Sequence, residues 1–166
     1  AIMRARVDSM DPGTLRESLQ TDIVNMTRTV NQVLDIAELE AFVVHTDSQA
    51  DIHAVCADAV GFMAPLAVGN DKAIALTGVE EEVWVRGHAE ALFRAVRNLI
   101  ENAIRHTPRG GSIEVDVAAD GTVRVMDDGP GVPMAERQSI FARFWRRDRA
   151  KADSRGLGLA IVARVA

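Results

Sequence analysis

Apolar residues recur at helical spacing through the first quarter of the chain. Between positions 14 and 40 they stand three or four residues apart, which is the period of an amphipathic helix. Two series repeat every seventh residue, namely Leu19, Met26 and Val33, and Ile23, Val30 and Ala37. A seven-residue repeat is typical of helices packed in two- or four-helix bundles, so we expect this helix to pair with another. The alternative is a single long helix that lies on its own domain.

The rest of the chain alternates shorter helical and strand patterns. A polar connector at 46–51 precedes them and is the expected boundary between a helical part and a compact domain. The predicted elements are a helix from Ile52 to near Pro65, two strands at Ala73–Thr77 and Val83–Arg86 that end as a pair at Gly87, a helix at His88–His106, strands at Ile113–Val117 and Thr122–Met126, and a helix beyond Pro133 that holds Ile140, Phe141, Phe144 and Trp145. Asp120-Gly121 between the last two strands is a hairpin signature.

Composition and charge narrow the possible functions. The chain has 166 residues, of which 48% are hydrophobic and 26% charged, enough for one ordinary domain and an appendage. A net charge of −5 argues against a nucleic-acid partner or a membrane surface, and no apolar run is expected to be long enough to cross a bilayer. The single cysteine, Cys56, allows no internal disulfide and predicts a reducing compartment. Because it lies on an apolar helical stripe, we expect a buried structural thiol.

The helix at His88–His106 carries an unusual polar stripe. Asn98 and Asn102 are one turn apart and Arg105 follows three residues later, so all three lie on one face. Asparagine prefers caps and turns to helix interiors. Two stacked asparagines therefore suggest a site for a metal ion or phosphate oxygens, and the alternative is a solvated polar face.

A glycine-rich loop follows the predicted hairpin. It reads Asp127-Asp-Gly129-Pro-Gly131, and its glycines let the backbone approach a flat ligand that a Cβ would exclude. The carboxylate of Asp127, at the end of a strand, suits a donor such as an exocyclic amine.

Two further stretches are compatible with an anionic ligand. Positions 146–155 are polar and basic without periodicity, which fits either a disordered surface or a mobile lid over phosphates. Gly156 and Gly158 stand directly before an apolar helical run, where free backbone N–H groups favour an anion.

Taken in order, these motifs resemble the catalytic, ATP-binding domain of two-component sensor histidine kinases, within the superfamily shared with DNA gyrase, heat-shock chaperone and mismatch-repair ATPases. The matching motifs are the asparagine box at 97–108, the first glycine box at 127–131, the phenylalanine box at 140–144 and the second glycine box at 156–159. Residues 14–40 are similar to the second helix of the family's dimerisation and phosphotransfer hairpin, and residues 1–10 to the end of its first helix.

The resemblance implies an α+β fold. A mixed β-sheet with helices on one face, a two-layer sandwich, would be preceded by a long helical-hairpin or bundle element. Residues 1–45 would form part of the hairpin and act as a homodimer interface. Residues 46–166 would form the ATP-binding domain, C-terminally incomplete because the family's closing strands are missing from this sequence.

The resemblance also implies the ligands and their residues. ATP and Mg²⁺ are the expected cofactors, with Asp127 accepting a hydrogen bond from the adenine amino group and with Asn98 and Asn102 as metal-organising residues. Asn98, Asn102 and Arg105 are the expected catalytic residues. The expected nucleotide-binding residues are Asn98, Asn102, Arg105, Asp127, Gly129, Gly131, Phe141, Phe144, Gly156, Leu157 and Gly158. Arg146, Arg147, Arg149 and Arg155 are further candidates to neutralise phosphate charge.

One position distinguishes phosphoryl transfer from hydrolysis. ATP-hydrolysing members of the superfamily carry a glutamate where this chain has Asn98, and an amide cannot act as a general base near neutral pH. We therefore expect transfer to a histidine, followed by relay to an aspartate of a response regulator. Glu101 is not expected to substitute as the base, because it lies one residue off the polar stripe. The alternatives are a degenerate dimer scaffold, an ATPase or a serine protein kinase.

The sequence departs from the family in three respects. No histidine has the acceptor's setting, so the acceptor is expected upstream of residue 1, and His106 is expected to be a packing or adenine-neighbouring residue. Ser154 stands where the second glycine box usually has another glycine. The lid at 146–155 is also short. The resemblance implies a cytoplasmic fragment that does not itself touch the membrane, although the full-length protein would be anchored there.

Overall fold

The computed structural model describes residues 19, 22–23, 48–142, 145 and 158–166. Contacts along the chain divide it into two units, Ala1–Val43 and Val44–Ala166. Nearly all of the predicted helical hairpin lies outside the described residues, and so do Phe144, Gly156 and Leu157. The hairpin and the domain boundary at 45–46 therefore stay predictions.

The second unit contains two small sheets and three described helices. Its elements are β1 (Gln49–Asp51), α1 (Ile52–Gly69), β2 (Ala73–Gly78), β3 (Trp84–Arg86), α2 (Ala89–His106), β4 (Ser112–Val117), β5 (Val123–Asp127), two 3₁₀ turns at Met134–Glu136 and Ser139–Phe141, and α3 (Gly158–Val165). Strand β4 lies between β2, to which it runs parallel, and β5, to which it runs antiparallel. The sheet is therefore mixed, as expected.

The core lies on one face of the β2-β4-β5 sheet. Alternate residues of β4, which include Ile113 and Val115, are buried under the helices, as strand alternation requires. Helices α1 and α2 pack on that face and on each other. The opposite face carries polar pairs, such as the 2.7 Å hydrogen bond from Thr77 Oγ1 to Glu114 Oε1. The predicted two-layer α+β architecture is thus confirmed, and the domain places α2 directly over β4 and β5.

The first helix differs from the sequence prediction in two ways. It continues through Pro65 to Gly69, because Met63 and Ala67 are buried against the core and hold its last turns in place. Its 18 residues are also long and apolar enough to cross a membrane, so the expectation that no such run exists was wrong. Six of its residues are nevertheless buried in the core, which is the environment of an apolar helix inside a folded domain.

Two strand predictions were wrong in their pairing. No strand was predicted in the polar connector at 46–51, yet Gln49–Asp51 forms a strand antiparallel to Trp84–Arg86. Strands β2 and β3 do not pair with each other, since β2 joins β4. Asp51 explains the new pairing in part. Its Oδ1 accepts hydrogen bonds from the N–H groups of His53 and Val83, at 3.1 and 3.0 Å, and so caps α1 while fixing the approach to β3.

The prediction of a helix beyond Pro133 was also wrong. The chain there forms the two short 3₁₀ turns at Met134–Glu136 and Ser139–Phe141, and no α-helix is present within positions 133–142. Among these residues no large apolar side chain is fully buried, and Phe141 remains 44% exposed. Without a buried apolar stripe, a helix of this length gains little stabilisation from packing.

Candidate nucleotide site

The polar stripe of α2 survives in the folded domain. Asn98 and Asn102 are both partly buried, and Arg105 is exposed. The guanidinium of Arg105 contacts Oε1 of Glu101 at 3.1 Å, one helical turn away. Glu101 therefore forms an ion pair with Arg105 at the border of the polar stripe.

The glycine loop is packed against the C-terminal end of α2. The backbone N–H of Gly129 donates a 2.8 Å hydrogen bond to Oδ1 of Asp127, which fixes that carboxylate at the end of β5. A Cβ on Gly129 would overlap this oxygen and would lie 3.0 Å from the carbonyl oxygen of His106. Gly131 has a φ of +70°, a conformation that L side chains rarely adopt. Gly131 is thus favoured by its backbone conformation, and Gly129 by the close approach of Asp127 and His106.

A second carboxylate fastens the loop to the sheet. Asp128 Oδ2 accepts hydrogen bonds of 2.8 Å from both the N–H and the hydroxyl of Ser112, the first residue of β4. These bonds, the backbone one first, lower the pKa of the Asp128 carboxyl below its usual value. This pair was not predicted from the sequence, because sixteen residues separate its members and Ser112 belongs to no recognisable local motif.

The start of α3 meets the middle of α2. A Cβ on Gly158 would lie 3.4 Å from Oδ1 of Asn98, so the first residue of α3 borders the side chain of the first asparagine. The Nδ2 atom of Asn98 is buried and has no hydrogen-bond partner within the described part of the chain. The structure thereby brings Gly158 and Asn98 together.

A lysine fixes the other end of the helix. Lys72, from the turn before β2, donates a hydrogen bond from Nζ to the backbone carbonyl of Ile104. A cation at this end also interacts favourably with the helix dipole. The contact was not anticipated, because nothing near Lys72 in the sequence marks it as a partner of α2.

These contacts define a site along one helix. The glycine loop borders α2 at His106, and α3 borders it at Asn98, eight residues earlier. This separation corresponds to about 12 Å of helix axis. Of the eleven residues expected at the site, Phe141 lies in the second 3₁₀ turn, whereas Phe144, Gly156 and Leu157 are outside the described residues.

The protein side chains at this site suit a metal ion whose ligands come mostly from a bound phosphate compound and water. Within residues 48–142, 145 and 158–166, no group of three or more His, Cys, Asp and Glu side chains is gathered for a metal ion. The Nδ2 of Asn98 is buried without a partner, so no hydrogen bond from this atom holds the amide group in another orientation. An amide oxygen together with phosphate oxygens and waters is a ligand set that Mg²⁺ accepts.

Comparison with known proteins places this site in a family. Residues 87–166 match the family model described as histidine kinase-, DNA gyrase B- and HSP90-like ATPase. This range contains α2, the glycine loop and α3. All four sequence motifs therefore lie inside the matched segment.

Individual relatives agree with the family match. The sensor protein kinase PmrB of Pseudomonas aeruginosa is 33% identical over 155 residues, which are 86% of this chain and 32% of PmrB. The chain spans about a third of the length of such curated relatives. A solved mycobacterial sensor histidine kinase, MprB, is 29% identical with a TM-score of 0.59, over 71% of this chain and 76% of that one. Full-length ShkA, solved in complex with AMPPNP, is 26% identical with a TM-score of 0.65, over 99% of this chain and 36% of that one.

Proposed function

This chain carries an ATPase domain of the histidine kinase type, as its four motifs predicted, and we propose that it binds ATP and Mg²⁺ along α2 and transfers the γ-phosphoryl group to a histidine. The acceptor histidine lies in a segment upstream of this chain. A response regulator then receives the phosphoryl group on an aspartate.

The adenine base binds at the glycine loop. Asp127 accepts a hydrogen bond from the 6-amino group, while Gly129 and Gly131 let the loop close on the ring. The support for this proposal is the 2.8 Å hydrogen bond from the Gly129 N–H, which orients the Asp127 carboxylate before any ligand arrives. Guanine presents an acceptor where adenine has its amine, and an acceptor facing a carboxylate is repulsive. The site therefore prefers adenine nucleotides.

The phosphates and Mg²⁺ bind at the asparagine end of α2. Asn98 and Asn102 offer amide oxygens to the ion, Arg105 offers positive charge, and the N-terminus of α3 beginning at Gly158 offers N–H groups. The 12 Å of helix between the loop and Asn98 leaves room for a base, a ribose and a phosphate chain. When bound, Mg²⁺ would neutralise charge that develops on the phosphate oxygens. Phe141, Phe144, Gly156 and Leu157 complete this proposed set of nucleotide-binding residues.

Transfer is favoured over hydrolysis at this site. Asn98 occupies the position at which the hydrolysing relatives have a glutamate, and an amide does not deprotonate water. Glu101 is paired with Arg105 at 3.1 Å, which keeps its carboxylate on the border of the stripe. We therefore do not assign Glu101 as a base. The domain leaves water unactivated while a nucleophilic imidazole approaches.

The remaining assignments rest on the relatives. PmrB is named as a sensor protein kinase, and MprB as a sensor histidine kinase. By analogy, residues 1–45 provide a homodimer interface, and the domain works in the cytoplasm as part of a larger, membrane-anchored sensor. No nucleic acid takes part in this role, and this portion of the sensor makes no membrane contact.

The observation that carries the proposal is the oriented Asp127 carboxylate beside a loop that excludes a Cβ. Its test is the fate of labelled phosphate when this chain is incubated with γ-labelled ATP, Mg²⁺ and an acceptor hairpin from a related sensor kinase. We expect acid-labile phosphate on the hairpin histidine, and none with a hairpin whose histidine is replaced by glutamine. Acid-stable phosphate on serine, or release of free phosphate alone, would refute histidine transfer. Nucleotide binding without any transfer would favour a dimer scaffold.

A further inference from the structure

One hydroxyl in the domain is buried without a partner. Thr107 is 3% exposed and is the one polar residue among the buried side chains that the structure describes. Its Oγ1 has no hydrogen-bond partner in that part of the chain. A buried hydroxyl left unpaired is unfavourable, so such an atom in a folded domain calls for an explanation.

The position of Thr107 connects this hydroxyl with the glycine loop. Thr107 caps the C-terminus of α2, and its backbone N–H bonds to the carbonyl of Ala103. It directly follows His106, whose carbonyl oxygen faces Gly129. Its methyl group contacts Gly111, where a Cβ would come within 2.6 Å of Cγ2 and 3.4 Å of the Cβ of Asp128. Thr107 therefore lies between the end of α2 and Gly111, and both of these parts of the chain approach residues 128–129.

The rotamer of Thr107 is fixed by packing. Gly111 accommodates the methyl group, and because the methyl and the hydroxyl of threonine share one Cβ, packing of the methyl also fixes the position of the hydroxyl. The unpaired oxygen is thus held in one place by apolar contact, not by a hydrogen bond. A hydroxyl held in this way would lose little conformational entropy on pairing with a ligand.

One polar atom of the proposed adenine ligand has no hydrogen-bond partner among the residues assigned so far. The edge of adenine that carries the 6-amino donor also carries an acceptor, the ring nitrogen N1. The Asp127 carboxylate accepts hydrogen bonds and cannot donate one to N1. A donor such as a threonine hydroxyl could pair with this nitrogen.

We propose that Thr107 is a further nucleobase-binding residue, whose hydroxyl donates to N1 of adenine, directly or through one water. This inference rests on the proposed ATP site and extends it by a second base contact. Asp127 then reads the amino group and Thr107 reads the neighbouring nitrogen. The unpaired oxygen becomes paired only when the nucleotide is bound.

The test compares ADP with 1-deaza-ADP, in which N1 is replaced by a C–H group, by calorimetric titration of this chain. The wild-type chain should bind 1-deaza-ADP about three- to tenfold more weakly than ADP, the effect of one neutral hydrogen bond. Thr107→Val, which keeps the shape and removes the hydroxyl, should lose affinity for ADP by the same factor and lose nothing further for 1-deaza-ADP. Thr107→Ser should retain the preference for ADP.

Controls separate this role from a structural one. Thr107→Val should melt at the same or a higher temperature than the wild type, because an unpaired buried hydroxyl has been removed. Thr122→Val, a change at an exposed threonine of the β4–β5 hairpin, should alter neither affinity.

Three results would overturn the inference. Equal affinity of the wild type for ADP and 1-deaza-ADP would exclude an N1 contact, and this comparison needs no variant. ADP affinity unchanged in Thr107→Val would exclude the hydroxyl. An equal loss for both nucleotides in Thr107→Val would show a structural effect. Absence of ADP binding by the wild type would instead refute the proposed ATP site itself, and the inference with it.

Discussion

Gly129→Ala tests the geometry of the glycine loop most sharply. The new methyl group would overlap Oδ1 of Asp127 and approach the carbonyl oxygen of His106 to 3.0 Å. Backbone conformation adds no cost, because Gly129 is not among the glycines with positive φ. The carboxylate is the softer of the two neighbours, so we expect it to rotate away. Its 2.8 Å bond from the Gly129 N–H would then be lost.

The expected loss of affinity follows from the bond that Asp127 makes. A hydrogen bond to a charged group contributes about 1.5–3 kcal/mol, and each 1.4 kcal/mol is a factor of ten in affinity. Displacement of the carboxylate should therefore weaken ADP binding roughly 10- to 150-fold. The stability of the domain should change much less, because Asp127 is exposed.

The assay is titration with ADP, with thermal unfolding measured on the same samples. Gly61→Ala is the matched control, because Gly61 lies in the middle of α1 with nothing within 4 Å of an added Cβ. It should leave ADP affinity unchanged and stabilise the domain by about 1 kcal/mol, the helix-propensity difference between glycine and alanine. ADP affinity in Gly129→Ala within twofold of wild type would refute the proposed arrangement of Asp127.

Three further changes have defined outcomes. Asp51→Ala removes the cap of α1 and its bond to the approach of β3, and should lower the free energy of unfolding by about 1–2 kcal/mol in a urea titration; an unchanged midpoint would contradict the capping role. Burial, with a smaller contribution from the negative charge of Asp51, raises the pKa of the Cys56 thiol from 9.0 to about 11. The stabilisation that this buried, protonated thiol provides is complete below pH 9 and is lost as pH rises towards 11. Cys56→Ala should therefore flatten the dependence of the unfolding free energy on pH in that window. Iodoacetamide should label the native wild type at pH 8 far more slowly than the unfolded chain. Asp128→Ala releases the loop from Ser112 and should weaken ADP binding several-fold, whereas Asp116→Ala on the outer sheet face should not; equal affinities would contradict the positioning role.

Features set by local chemistry were predictable from the sequence. The helix with Asn98 and Asn102 was predicted to within one residue at its start, because its apolar face follows a helical period over eighteen positions. The hairpin that ends at Asp127 was predictable from strict alternation around Asp120-Gly121. The glycine loop was predictable from its two closely spaced glycines, which allow a backbone approach that a Cβ would hinder.

Features set by distant contacts were not predictable in this way. Strand β1 has three residues, too few to show a period, and its pairing with β3 brings residues 49–51 to residues 84–86. The extension of α1 past Pro65 depends on burial of Met63 and Ala67 that no local rule provides. The bond between Ser112 and Asp128 depends on the register of β4 and β5. The unpaired hydroxyl of Thr107 likewise could not be predicted, because it depends on the residues that surround it in the folded domain.

The central claim is that adenine nucleotides bind at the glycine loop through Asp127. The most direct test is calorimetric titration of this chain with ADP and a non-hydrolysable ATP analogue, with and without Mg²⁺, and with GTP in parallel. We expect both adenine nucleotides to bind, GTP to show no binding, and Asp127→Asn to weaken the binding of ADP. A folded sample that binds neither adenine nucleotide, or that binds GTP equally well, would contradict the claim.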